Sequence, residues 1–234
     1  MNLLREYIRI LLTESTKDPD LGMFSNEISN KIMSVLGDSS VIDRLKEQSA
    51  ESEVTTIIDT GALFTNYDTI NDVHLGIAVN DQGYGRVKAY YLCVPEDRSQ
   101  SNLVIEVDIP RGYSQVDEFN EWMEVELADA LSHELQHSCD PTEMLTADIP
   151  EGEAKWESLE NIYKHFGSEA ETRGNVAGIM SRAKRSGRDP LDILDDKMDE
   201  IFNEALSNGF NEDEITPVIQ KIYAMWKGYM QSLS

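Results

Sequence analysis

Only two cysteines, Cys93 and Cys139, occur in 234 residues, which excludes a disulfide scaffold and leaves too few thiols for a cysteine-held metal cluster. Positive charge is also scarce: 20 Lys plus Arg stand against 44 Asp plus Glu, a formal net charge of -24. A field of that sign repels phosphate backbones, so nucleic acid is not an expected partner. No run of 18 or more apolar residues occurs, and no membrane span is expected. The opening stretch MNLLREYIRILLTESTKDPD lacks the uninterrupted apolar segment and small-residue cleavage site of a secretory signal, so export by that route is not expected either. What remains is the balance of an ordinary globular chain, 40% hydrophobic and 27% charged. Its length suits one sizeable core, or one domain with a helical annex.

Hydrophobic spacing changes twice along the chain. Residues 2 to 13 read as an amphipathic helix carrying Leu3, Leu4, Tyr7, Ile8, Leu11 and Leu12, and Pro19 lies in the break that follows it. A second helix is predicted from Asn26 to Leu36, stopped by Gly37, and a short third from Val41 to Gln48. The period then becomes that of strands at 53–59, 73–79, 86–94 and 102–109, rich in Val, Ile, Thr and Tyr. NDQGYG between the second and third is hairpin material, because Asn, Asp and Gly tolerate positive φ. From Val116 onward the pattern is helical, with helices predicted over 117–139, 151–166, 169–184, 191–207 and 213–232 and a basic loop, KRSGRDP, before the last two. The stripes Leu191, Leu194, Met198, Ile201, Phe202 and Ile215, Ile219, Ile222, Tyr223, Trp226, Tyr229, Met230 read as helix packing. The expected class is α+β: a small, mostly antiparallel sheet packed on one helix, followed by a helical C-terminal region. Three stretches are expected: an N-terminal helix or leader at 1–20, a main domain at 21–186, and a helical region at 187–234 packed on that domain.

The helix expected over 117–139 contains His133-Glu134-Leu135-Gln136-His137. Met123, Leu127, Leu131 and Leu135 form one apolar stripe, and Glu126, Ala130, His133 and His137 form the face beside it. Two imidazoles one turn apart can point at one ion, and zinc takes neutral imidazole nitrogens at about 2.0–2.1 Å. Glu134, turned about 100° around the helix, is placed to take a proton from a water that the ion activates. A catalytic zinc takes a third protein ligand. Glu171 is the preferred source, because it shares a helix face with Asn175 and Gly178, whose small size allows close approach and whose Asn175 is expected to orient an imidazole. Glu169, Glu143, Glu151 and Glu153 are the alternatives. Against Glu171 stands a structural account in which Ser168 and Glu171 form a reciprocal capping box. Glu143 would need a chain reversal at Asp140-Pro141, where glycine is the easier residue. His165 and Tyr163 are candidate donors to an oxyanion, and each also reads as a packing residue.

With these residues, the chain resembles the zincin peptidases, in particular the branch with His-Glu-x-x-His on one helix and a glutamate ligand on a later one. The likeness covers mainly residues 102–180. It implies a zincin-like catalytic domain with one Zn2+ per chain on His133, His137 and Glu171. Glu134 would be the general base of peptide hydrolysis, and peptides or proteins the substrates. SEAETRG stands where a standard downstream ligand motif would separate Glu169 from Glu171. The N-terminus resembles the helical leaders of tailed-bacteriophage head proteins, which are cut after Leu/Ile-x-Glu; Leu12-Thr13-Glu14 matches. That resemblance implies capsid proteins as partners and the virion or host cytoplasm as location. Two other readings are open: a zincin-like structural or interaction protein without catalysis, and a metal-dependent hydrolase of another bond, such as an amide in a cell-wall peptide.

Overall fold

A computed structural model describes residues 20–37, 53–58, 70, 72–80, 85–110, 117–145 and 149–233. The helices expected over 2–13 and 41–48, and the leader with Leu12-Thr13-Glu14, lie outside the described residues. The chain is α+β and mostly helical.

Helix α1 (Asp20–Leu36) precedes four strands, β1 (Glu53–Ile58), β2 (Asp72–Asn80), β3 (Arg86–Leu92) and β4 (Asn102–Pro110). α1 starts six residues before the expected Asn26 and runs through Gly22, whose cost of about 1 kcal/mol weakens a helix without ending it. The sheet order is β1-β2-β4-β3. β1–β2 and β3–β4 are antiparallel, while β2 and β4 run parallel with Val73 opposite Leu103 and Ile77 opposite Val107. The hairpin expected at NDQGYG is therefore not formed, because β4 lies between β2 and β3. Composition explains the insertion. β4 buries Leu103, Ile105, Val107 and Ile109 and belongs in the middle, whereas β3 exposes Arg86, Tyr90 and Leu92 and suits an edge.

One face of the sheet is covered by α1 and by the long helix α2 (Asp117–Cys139). Ile28 and Ile32 of α1 and the stripe Met123, Leu127, Leu131 and Leu135 of α2 close on Val73, Leu75, Ile77, Leu103 and Ile105, all fully buried. Truncating one of these leucines to alanine typically costs about 2–5 kcal/mol.

A one-turn helix α3 (Thr142–Leu145) leads to α4 (Leu159–Phe166), α5 (Glu169–Ser186), α6 (Pro190–Ser207) and α7 (Glu212–Leu233). The single helix expected over 151–166 is broken. A 3-10 segment, Gly152–Trp156, ends at Glu157, and Ser158 caps a new helix by accepting the Asn161 N–H at 3.1 Å. α5 ends on Gly187 at φ 70, where only glycine is unstrained, and Asp189 followed by Pro190 opens α6. α4 to α7 share a second core around Ile162, Val176, Leu194, Ile215, Ile222 and Trp226, and the Trp226 indole donates to the Phe166 carbonyl at 2.9 Å. Both predicted stripes supply it, except that Leu191 is exposed and Ile193 is buried in its place. α5 packs on α2 with one face and belongs to the second core with the other.

Candidate metal centre

The leucine stripe fixes α2 on the sheet, so positions 126, 129, 133 and 137 project toward α5. α5 approaches closely because it presents glycine there. A Cβ on Gly174 would lie 3.0 Å from His133 Cδ2 and Nε2, and one on Gly178 would lie 3.1 Å from the Asp129 carbonyl oxygen. One turn below, Arg182 joins the helices through Glu126 at 3.0 Å and Asp129 at 3.5 Å.

Ser168 caps α5 by accepting the Glu171 N–H at 3.2 Å. The return limb of a capping box is not made: the Ser168 N–H goes to the His165 carbonyl at 3.2 Å, and the Glu171 carboxylate turns to the histidines. Its Oε1 lies 3.4 Å from His137 Nε2 and its Oε2 lies 3.4 Å from His133 Nε2. The two Nε2 atoms are 3.0 Å apart, with the rings steeply inclined at 78°. One ligand atom each from His133, His137 and Glu171 therefore lies within 4.8 Å of the others. Asn175 orients the carboxylate rather than an imidazole, donating through Nδ2 to the Glu171 carbonyl at 2.8 Å and to Oε2 at 3.3 Å.

Behind His137 stands Asp140, fully buried. Its Oδ2 accepts from His137 Nδ1 at 3.3 Å, and its Oδ1 accepts from Gln136 Nε2 at 3.2 Å and pairs with Arg173 Nε at 3.0 Å. A carboxylate only accepts, so Nδ1 carries a proton, and it is the proton on Nε2 that a metal would displace. From sequence, Asp140 counted only as a poor substitute for glycine at a chain reversal. The available signal was an acidic residue three positions after a histidine, matched by Arg173 two positions after Glu171.

Burial disfavours charge on His137, yet the Asp140 and Glu171 carboxylates push it up to about 10. Burial would raise the Glu171 carboxyl, and the two imidazoles override it, holding the group well below the usual carboxylate range. Glu134 is also buried, which raises its carboxyl despite the nearby imidazoles of His133 and His137. Its Oε2 accepts the backbone N–H of Tyr91 on β3 at 2.8 Å, while Oε1 lies 3.9 Å from His133 Nε2. The edge strand and the motif helix thus meet at this carboxylate.

The remaining candidates divide. Glu143, Glu153 and Glu169 are exposed and belong to neither group of converging ligand atoms found among the described residues. Glu151 is also exposed, but its carboxylate converges with His165 and Glu171. His165 is buried edge-on against Phe166, with Nε2 4.0 Å from Glu171 Oε2. Tyr163 points away from the site, its hydroxyl 3.5 Å from Met225 Sδ and its ring beneath Lys221 of α7, so it is no donor there.

Comparisons with protein-family models, with curated proteins and with solved structures find no match to this chain.

Proposed function

We propose that the protein is a zinc-dependent peptidase of zincin-like architecture, with one Zn2+ held by His133, His137 and Glu171. The observation that carries this reading is the convergence of two imidazole Nε2 atoms and a partly buried carboxylate from a second helix. Two ligands about 2.0–2.1 Å from one ion at a tetrahedral angle are separated by about 3.4 Å; each histidine Nε2 lies 3.4 Å from one of the two Glu171 oxygens, and the Nε2 atoms lie 3.0 Å apart. The two Nε2 atoms at 3.0 Å share a proton in the metal-free protein, and a cation that displaces it would meet both imidazole lone pairs.

Zinc in such a site supplies Lewis acidity, lowering the pKa of water toward 7 and polarising a carbonyl. The chain's own residues do the rest. Glu134 accepts the proton of the attacking water and delivers it to the departing amine. Its raised carboxyl pKa suits that exchange, because a carboxylate that holds a proton more readily is a better base near neutrality. Asp140 fixes the His137 tautomer, and Asn175 fixes the Glu171 carboxylate. β3, at the edge of the sheet and bonded to Glu134, offers its backbone as a rail on which an extended peptide adds as a further strand. The acidic surface favours basic or neutral peptides over acidic ones. The leader-like N-terminus favours capsid proteins as substrates or partners.

Metal analysis and a broad peptide library test the reading together. Purified protein is expected to hold about one zinc per chain, as one ion on His133, His137 and Glu171 requires, and His133→Ala to lose it. Glu134→Gln is expected to keep the zinc while turnover falls by about 10²–10⁴. Zinc retained in His133→Ala places the ion elsewhere. Undiminished cleavage by Glu134→Gln removes the general base. Zinc binding with no cleavage at all favours the non-catalytic zincin-like protein.

A further inference from the structure

Glu171 has two oxygens, and one ion on the two motif histidines leaves part of its surroundings unexplained. Oε2 lies 4.0 Å from Nε2 of His165, which comes from the end of α4 and not from the motif helix. Glu151, at the start of the 3-10 segment, brings a third ligand atom to the same place, and the atoms of Glu151, His165 and Glu171 lie within 4.8 Å of one another. The His165 residue is 7% exposed, so its imidazole is not an incidental surface group. Glu151 is exposed, so an ion can meet this ligand from solvent.

We infer that Glu151, His165 and Glu171 form a second divalent-cation site, with Glu171 shared between it and the zinc on His133 and His137. One imidazole and two carboxylates suit zinc, and suit manganese as the harder ion. A carboxylate shared in this way joins ions about 3.5–4 Å apart in two-metal hydrolases. Here the Glu171 carboxylate lies between the two histidine sets, with Oε1 3.4 Å from His137 Nε2 and Oε2 3.4 Å from His133 Nε2 and 4.0 Å from His165 Nε2. The second site is the weaker one, because one of its ligands is exposed and must be ordered on binding. It fills only when free metal is raised above the level that occupies the first. The inference rests on the zinc reading of the first site, since Glu171 serves both.

The test is equilibrium dialysis of the full chain against increasing free Zn2+, with bound metal counted by elemental analysis. Wild type is expected to show a plateau at one equivalent and a second step to two. Glu151→Gln, an exposed substitution that spares the core, and His165→Ala are expected to keep the first step and weaken the second by tenfold or more. A single plateau at one equivalent overturns the second site and leaves the first standing. So does a second step unchanged in both variants, which marks diffuse binding to the acidic surface. Loss of turnover in His165→Ala without a change in the second step also overturns it, in favour of His165 as an oxyanion donor. Absence of the first step refutes the zinc reading itself.

Discussion

Replacing Asp140 by Asn keeps the side chain's size and removes its charge at a fully buried position. The carboxylate now has a donor on each side, His137 Nδ1 on Oδ2 and Gln136 Nε2 on Oδ1, and Oδ1 also forms an ion pair with Arg173 Nε at 3.0 Å. An amide can satisfy only one side, and its NH2 must then oppose either the imidazole N–H or the guanidinium. If the oxygen stays with Arg173, His137 loses the partner that sets its tautomer, and loss of such a support typically weakens metal binding about 10–100-fold, or about 1.4–2.8 kcal/mol. If it stays with His137, Arg173 becomes a largely buried cation without its counter-charge, a change that costs about 3–5 kcal/mol of folding stability. Asp140→Asn must therefore lose zinc affinity, stability or both. Competition with a chromophoric zinc chelator reads the first quantity, and urea unfolding of the metal-free protein reads the second. Gln136→Ala, which removes only a peripheral donor, serves as the control. An Asp140→Asn protein that binds zinc within twofold of wild type and unfolds at the same urea concentration would refute the argument.

Gly174→Ala places a methyl 3.0 Å from the His133 ring; zinc affinity is expected to fall by tenfold or more, with overpacking costing about 1–3 kcal/mol, both measurable on the same samples. Gly178→Ala meets Asp129 instead, first at its carboxylate and then at its carbonyl oxygen, and is expected to destabilise by a similar amount while sparing the metal more, so equal losses of zinc in the two variants would break the distinction. His137, raised to about 10 in the metal-free protein, is protonated at neutral pH and must lose its proton to become a ligand. Zinc affinity should then rise about tenfold per pH unit from neutrality toward that value, with about one proton released per ion from this group, as titration calorimetry in buffers of different ionisation enthalpy would show. Because the folded pKa lies above the ordinary 6.5, the same group stabilises the metal-free fold fully below about 6.5 and loses that contribution as pH rises through about 10. Metal-free stability that increases over this interval would contradict the assignment.

Local pattern exposed much of this site in advance. Met123 and three leucines spaced by four fixed which side of the motif helix is buried, and hence that His133 and His137 face together. The Glu171 carboxylate was legible through its helical register with Asn175 and Gly178, although its competing use as a capping group was settled only by the direction of the side chain. Relations that depend on tertiary context were less accessible. Strand order failed at NDQGYG because turn chemistry describes four residues, whereas the place of β4 is decided by the apolar content of the whole strand. The helix expected over 151–166 failed because its amphipathic spacing outweighed Gly152 and the capping signal at Ser158. Asp140 was missed because its partners come from both helices, and no spacing within one segment displays that.

α5 stands between two hydrophobic cores, and its N-terminal turn is tied to the C-terminal helix through the contact of Trp226 with the Phe166 carbonyl, just before the Ser168 cap. The imidazoles are thus anchored in one core and the carboxylate in the other, so an ion gripped by all three acts as a rivet through both. Saturating metal at 100 times its dissociation constant would add about 2.7 kcal/mol to the folded state. Such a gain resists the peeling of the last four helices from α2 as well as global unfolding. Damage to the distant tryptophan would accordingly register first as a looser grip on the ion.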